Sequence, residues 1–287
     1  MTRAATPRLA VARTAKLFVG GGFPRSESGR SYEVRSADGS FLANAARASR
    51  KDARDAVLAA RAAAPTWSGA TAYNRGQVLY RVAEMAEGRR DQFAAEVVAA
   101  EGIDDSAAAA VVDAAIDRLV WYAGWSDKIA QVWGAANPVA GPYFNLSAPE
   151  PTGVVGIVAP ASFLGLVSVV APAIVTGNTV VVLAPAPQAA ITLAEVLATS
   201  DVPGGVVNIL TGRPAETAPW LASHDDVNAL DLTGIEEPEL AAELERSAAG
   251  NLKRVVRPQG TDFSADPGLR PMTALLETKT VWHPKGF

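Results

Sequence analysis

The sequence predicts an α/β fold built on a doubly wound parallel sheet, with N-terminal helices and a small β arm. The main observation is that residues 151–194 contain no charged side chain. Two β-branched segments, residues 154–159 and 179–183, flank a helix-length segment at residues 164–176. This is the pattern of a βαβ unit whose strands are buried on both faces. Alternating β and α segments continue to residue 257, which indicates a parallel sheet.

A membrane span is the rival interpretation of this uncharged stretch. A span needs about 20 uninterrupted apolar residues. Pro160, Pro172 and the Gly177–Asn178 turn interrupt the run. Burial in an α/β core is therefore the better interpretation, and no membrane partner is expected.

The composition excludes several classes of function. The chain has 287 residues, of which 49% are hydrophobic, so it can bury a large core. A net charge of -4 without a basic face argues against nucleic-acid binding. The absence of cysteine excludes disulfides, thiolate metal sites and cysteine nucleophiles. Residues 1–16 lack the apolar centre of a secretory signal, so we expect a disordered leader and a cytoplasmic protein.

The N-terminal part, residues 17–136, predicts surface strands and then amphipathic helices. Ser49 begins the first helix with a capping-box pattern. The helices are expected at residues 49–64, 71–102 and 106–133. Trp121, Tyr122 and Trp125 could form a ligand cage, but aromatics at helical spacing are more typical of a core or interface. We assign them to packing.

The rest of the chain divides into four segments. They are a hairpin arm (residues 137–150), the doubly wound core (residues 151–257), a polar, turn-rich linker (residues 258–275) and a C-terminal strand (residues 276–287). Ligands of such a core normally bind at the carboxyl ends of its strands.

Several segments, in order along the chain, resemble the aldehyde dehydrogenase superfamily. AYNRGQVLYRVAEMAEGRR looks like its second N-terminal helix, and EPTGVVGIVAP resembles the strand that enters its active site. GNTVVV, VPGGVVNILTG and LDLTG look like successive strands of its NAD-binding domain, and ETKTVW resembles its last strand. The resemblance implies an NAD-binding-domain-like fold, with residues 137–150 and 276–287 forming an oligomerisation arm.

The chain departs from the family pattern where catalysis would occur. The family's catalytic domain lies between the strand that LKRVVR resembles and the terminal strand, but only residues 258–276 connect them here. A domain needs at least about 50 residues. The family's nucleophile is a cysteine, which this chain lacks. We therefore interpret the chain as a truncated member without a catalytic domain.

The positions that resemble catalytic residues have also changed. Ser162 stands where the family has an asparagine that stabilises the oxyanion, and Pro258 stands where it has a general-base glutamate. Ser162 is expected to satisfy its own turn backbone. We predict no catalytic residue.

The cofactor positions are altered in the same way. In the family, a lysine and a glutamate hold the adenosine ribose of the cofactor. An alignment without gaps places Leu183 and Ala186 at these positions, and an alignment that matches the prolines places Ala184 and Pro187 there. The glycine turn at Gly234 is followed by two carboxylates, which would repel a pyrophosphate. The remaining candidates for contact with a cofactor are Ala159, Pro160, Ser162, Leu183, Gly212, Thr233 and Gly234. We expect no cofactor, or NAD(P) bound with weakened affinity.

No metal site is predicted. His224 and His283 are the only histidines, and neither belongs to a cluster of ligands. Asp104–Asp105 and Glu236–Glu237 are acidic pairs of the kind that begin solvated helices.

The preferred hypothesis is a non-catalytic aldehyde dehydrogenase-like subunit, a pseudoenzyme, that assembles with a full-length catalytic aldehyde dehydrogenase and scaffolds or regulates it. The expected interface residues are Tyr143, Phe144, Leu146, Thr278, Thr280 and Trp282. A homo-oligomer is the alternative assembly. The second hypothesis is a module that binds a nucleotide or small ligand in the old NAD cleft. The third is an NAD(P)-dependent aldehyde oxidoreductase that uses unrecognised residues.

Overall fold

The computed structural model describes residues 11 and 13–286. The strands are β1 (Thr14–Ala15), β2 (Ser31–Arg35), β3 (Phe41–Ala46), β4 (Ala135–Asn137), β5 (Tyr143–Pro151), β6 (Val154–Val158), β7 (Thr179–Ala184), β8 (Val207–Thr211), β9 (Ala229–Asp231), β10 (Arg254–Val256) and β11 (Leu276–Pro284). The helices are α1 (Arg50–Gly69), α2 (Ala72–Glu87), α3 (Arg90–Glu101), α4 (Asp105–Trp125), α5 (Ile129–Trp133), α6 (Phe163–Val175), α7 (Pro187–Ala198), α8 (Pro214–Ala222), α9 (Pro238–Ala248) and α10 (Arg270–Thr273).

The central sheet has five parallel strands in the order β10-β9-β6-β7-β8. Every residue of β6, β7 and β8 is buried, because helices cover both faces. Val180 and Val182 pack on the side of α6 and α7, whereas Val181 and Leu183 pack on the side of α1 and α8. The predicted doubly wound α/β fold is confirmed. No helix within residues 13–286 is both long and apolar enough to cross a membrane.

Side-chain caps fix where several helices begin. Ser49 and Asp52 form the reciprocal capping box that the sequence predicts for α1. Asp104 accepts a hydrogen bond from the amide of Ala107 at the start of α4. Such a cap contributes about 1 kcal/mol to helix stability.

Two helices predicted as continuous are each broken into two. The prediction of one helix at residues 71–102 is wrong, because α2 ends at Glu87 and α3 begins at Arg90. The break lets Phe93 of α3 stack on Phe163 at a centroid distance of 4.6 Å. The helix predicted at residues 106–133 ends at Trp125. There Ser126 lies against Gly76 of α2, where an added Cβ would be 2.3 Å from the Ser126 hydroxyl.

The linker and the described end of the predicted leader are more structured than their sequences indicate. Most of the leader, residues 1–16, lies outside the described residues, but β1 pairs with β3 at its end. The linker, residues 258–275, contains α10, in which Met272 is fully buried. Leu275 is also buried, and α10 packs on α6. The linker is therefore part of the core as well as a connection.

Two smaller sheets accompany the central one. The first has the order β1-β3-β2, and the second is antiparallel in the order β11-β5-β4. We call this second small sheet the arm sheet. Its β11 pairs with β5 from Leu276 opposite Pro151 to Pro284 opposite Tyr143. The hairpin and the last strand, far apart in sequence, thus form one unit. In the described chain β11 is an edge strand of this sheet.

Candidate functional site

The carboxyl ends of the five parallel strands lie at one edge of the central sheet, which we call the carboxyl edge. Because the strands are parallel, the sequence-predicted positions meet here. Ala159 and Pro160 follow β6, Leu183 lies in β7, Gly212 follows β8, Thr233 and Gly234 follow β9, and Pro258 comes soon after β10. Strand order reverses between β6 and β9, which is where a doubly wound sheet normally opens a crevice for a ligand.

Backbone contacts close this crevice. The amide of Gly234 donates a hydrogen bond to the carbonyl of Val158, at 2.9 Å. A Cβ added to Gly234 would lie 2.2 Å from the carbonyl oxygen of Ala159. The loops after β6 and β9 therefore touch directly, without space for a ligand group between them.

The predicted cofactor positions at the carboxyl edge carry apolar side chains or hydroxyls that bond within the chain. Leu183 is buried and apolar, as are Ala184 and Pro187, so neither sequence alignment supplies a polar partner for a ribose. Both the hydroxyl and the amide of Thr233 donate to a carboxylate oxygen of Asp231. The hollow beside Ser162 holds about 10 Å³, roughly the space of one water. The cleft beside Gly212 has essentially no volume.

The N-terminus of α6 is capped by groups of the chain itself. The hydroxyl of Ser162 accepts a hydrogen bond from the amide of Gly165 at 3.1 Å, the local backbone bond expected of this serine. The amide of Phe163 donates to Glu101 Oε1 at 2.8 Å. Sequence reasoning missed Glu101, since it lies in α3, 62 residues from its partner. Together these bonds occupy donors that would otherwise face an anion.

Three other positions singled out from the sequence, Pro258, Glu236 and Glu237, follow the strands at this edge. Pro258 has no titratable side chain. Glu236 and Glu237 are exposed, and Glu237 precedes α9 without a side-chain cap bond. Within the described residues, no three histidine, aspartate or glutamate side chains cluster closely enough to hold a metal ion.

An open cavity of about 800 Å³ lies beside β10, with the linker as one wall. It reaches the carboxyl ends of β9 and β10, and Thr233 of the predicted cofactor positions lines it. Arg118 of α4 fastens the linker by donating to the carbonyl oxygens of Phe263 and Ala265, at 2.6 and 3.1 Å. Sequence reasoning missed this arginine. The available signal was its position on the buried stripe of α4, between Ala115 and Tyr122.

Four buried titratable groups line this cavity, namely Arg118, Tyr122, Asp231 and Lys253. Tyr122 was assigned to packing, and it is fully buried, but it also forms part of the cavity wall. Burial raises the pKa of its phenol above the usual range. Burial also raises the pKa of Asp231, although the hydrogen bonds from Thr233 act in the opposite direction.

The six predicted interface residues are all exposed on the arm sheet. Because strand side chains alternate, they divide between two faces. Phe144 and Leu146 lie on one face, where Leu146 is opposite Val281. Tyr143 and Trp282 lie on the other and make an edge-to-face contact at 5.8 Å. Thr278 and Thr280 share that second face, since they differ from Trp282 by even numbers of residues.

Comparisons with known proteins converge on one family. A sequence model described as "Aldehyde dehydrogenase family" matches residues 23–261. The putative aldehyde dehydrogenase DhaS of Bacillus subtilis (strain 168) is 32% identical over 251 residues, covering 84% of this chain and 50% of that protein. Retinal dehydrogenase 2 of Mus musculus is 35% identical over 263 residues, and the match covers 87% of this chain and 49% of that protein.

Solved structures give the same result. HpcC from Thermus thermophilus superposes with a TM-score of 0.80 at 32% identity, covering 85% of this chain and 47% of that one. The NAD+ complex of an aldehyde dehydrogenase from Bacillus cereus superposes with a TM-score of 0.78 at 26% identity, and the match covers 85% of this chain and 50% of that one. The chain thus spans about half the length of these relatives.

Proposed function

The chain belongs to the aldehyde dehydrogenase family, and from this premise we propose that it is a non-catalytic subunit that assembles with a catalytic member of the family and scaffolds or regulates it. The observation that carries the proposal is the arm sheet. Its strand β11 is nine residues long, and of these only Leu276 is buried. Long exposed edge strands are templates for pairing with another chain, and natural proteins normally cover them.

The side chains of the arm sheet also favour a protein partner. Phe144 is 55% exposed and Leu146 is 50% exposed on one face, and Trp282 is 57% exposed on the other. Contiguous exposed apolar side chains are typical of interaction sites. Addition of β11 to a partner's sheet would satisfy its outer backbone groups and cover these side chains in one step.

An asymmetric partner follows from the connection between β10 and β11. The family resemblance implies that the arm of one subunit pairs with the catalytic-domain sheet of another. A two-fold dimer makes each such contact twice. Here the linker that joins β10 to β11 folds as α10 and turns, and it holds no sheet that could accept an arm. A full-length relative supplies that sheet.

The non-catalytic part of the proposal has separate support. The chain contains no cysteine for a covalent intermediate. The hydroxyl of Ser162 is used as a helix cap, and Glu101 occupies the amide of Phe163. A carboxylate at this helix N-terminus would repel a developing oxyanion.

The assembly is tested by co-expressing the tagged chain with the catalytic aldehyde dehydrogenases of its own host and measuring intact complexes by native mass spectrometry. We expect a stoichiometric complex that is lost on Trp282→Lys combined with Phe144→Glu. The matched control is Tyr73→Lys, which changes an aromatic that is 64% exposed outside the arm sheet. A complex that survives the arm substitutions, or a chain that stays alone, contradicts the proposal.

The non-catalytic assignment has its own test. The purified chain is expected to form no NADH from NAD+ and a panel of aldehydes, while its circular dichroism shows a folded α/β protein. Aldehyde-dependent NADH formation would overturn this assignment and leave the assembly experiment unaffected. A rise in melting temperature with millimolar NAD+ would instead support a retained cofactor site.

A further inference from the structure

The cavity beside β10 is much larger than the other hollows of the carboxyl edge, and Asp231 and Thr233 at the end of β9 belong to its wall. It has a volume of about 800 Å³ and lies between α4, α6, β10 and the linker. Pockets of small-molecule sites typically measure about 300–1,000 Å³ and combine apolar walls with a few polar groups. The hollow beside Ser162 is smaller by far, at about 10 Å³.

One wall of the cavity carries a buried cation without an anionic partner. Arg118 is only 7% exposed. Its hydrogen-bond partners in residues 13–286 are the Ser168 hydroxyl and the carbonyls of Phe263 and Ala265, all of them neutral. Buried charges are normally paired with an opposite charge. Within the described residues, no salt bridge therefore neutralises this guanidinium directly.

A second polar group stands beside it. Tyr122 lies one helical turn after Arg118 on α4, and both residues line the cavity. The phenolic oxygen of Tyr122 is buried and has no hydrogen-bond partner within the described chain. Buried hydroxyl groups without a partner are uncommon in folded proteins. The raised pKa keeps this phenol protonated and able to donate a hydrogen bond.

Four carboxylates line the cavity, and the partners recorded for each are groups other than Arg118. Asp231 accepts hydrogen bonds from the amide and hydroxyl of Thr233. Glu245 pairs with Arg257 at 2.5 Å. Asp262 accepts hydrogen bonds from the amide and hydroxyl of Ser264, and Asp266 accepts one from the amide of Gly268. None of these carboxylates forms a salt bridge with Arg118 within the described residues. The charge of Asp266 nevertheless acts on Tyr122, where, beside the larger effect of burial, it raises the pKa of the phenol while Arg118 lowers it.

We propose that this cavity binds an organic monocarboxylate, with the carboxylate at Arg118 and Tyr122 and the apolar body against Val169, Val256 and Phe263. The carboxylate supplies the missing negative charge and accepts the unused phenol proton. The apolar walls favour a chain or ring over a small inorganic anion. This site is independent of the arm sheet and of any catalytic activity.

Isothermal titration calorimetry of the full chain with octanoate tests the proposal. We expect saturable binding that weakens roughly fourfold for each buried methylene removed from the probe. Octan-1-ol, which has a similar chain without the charge, is expected to bind much more weakly. The variant Tyr122→Phe removes an oxygen that has no partner in the described chain, so the protein should fold normally. It should weaken octanoate binding roughly tenfold or more.

The matched control is Tyr32→Phe, which removes another buried hydroxyl, in β2, away from the cavity. This variant should bind octanoate as the wild type does. Any of three results would overturn the proposal: no saturable binding of octanoate to the folded chain, equal affinity for octan-1-ol, or unchanged affinity in Tyr122→Phe.

Discussion

The closed crevice between β6 and β9 makes Gly234→Ala an informative substitution. The new Cβ would lie 2.2 Å from the carbonyl oxygen of Ala159 and 2.6 Å from the nitrogen of Pro160. Real Cβ atoms essentially never come closer than 3.0 Å to such atoms. Both contacts are with backbone, which cannot rotate away as a flexible side chain can. The two loops must therefore separate.

The cost of this separation has two parts. Overpacking of a tight contact typically costs about 1–3 kcal/mol. Loss of the hydrogen bond from the Gly234 amide to the Val158 carbonyl adds roughly 0.5–1.5 kcal/mol. We expect Gly234→Ala to lower the free energy of unfolding by about 2–4 kcal/mol. The backbone of Gly234 is not left-handed, so conformational strain does not contribute.

Urea denaturation followed by circular dichroism measures this free energy. Gly250→Ala is the control, because its added Cβ would meet no atom within 4 Å. Its effect should lie within about 0.5 kcal/mol of zero. An unchanged urea midpoint and m-value for Gly234→Ala would refute the reasoning. The loops would then be apart in solution, and the crevice would be open to a ligand.

Two further predictions concern buried polar groups. Because burial raises the pKa of Asp231, its stabilising contribution is complete below the unfolded pKa of about 3.9 and is lost as the pH rises through the folded value. The stability of the wild type should thus fall relative to Asp231→Asn as the pH rises above about 4, by at most about 1.4 kcal/mol per pH unit. A difference between the two proteins that does not change with pH in urea titrations would contradict this. Arg118→Met should leave the carbonyls of Phe263 and Ala265 without a donor, cost about 1–3 kcal/mol and speed subtilisin cleavage within residues 258–275. The control is Arg81→Met, which changes an exposed arginine. Equal cleavage rates in the two variants would contradict the role of Arg118 in holding the linker.

The sequence alone determined the core of the central sheet and the start of α1. Residues 151–194 carry no charge, so both faces of their strands had to be covered, and they form β6, α6 and β7. The capping box at Ser49 is a local pattern, and α1 begins beside it. The absence of cysteine is a property of composition, and no fold could change it.

The tertiary structure decided the features that depend on contacts between distant segments. Ser126, where α4 ends, lies against Gly76 of α2, and the amide of Phe163 is capped by Glu101 of another helix. The polar linker sequence did not reveal that Met272 enters the core. It also did not show that Arg118 would hold the linker over a cavity. Local sequence sets which backbone conformations are favoured, but long-range packing decides which side chains meet, and so it decides where this chain can bind.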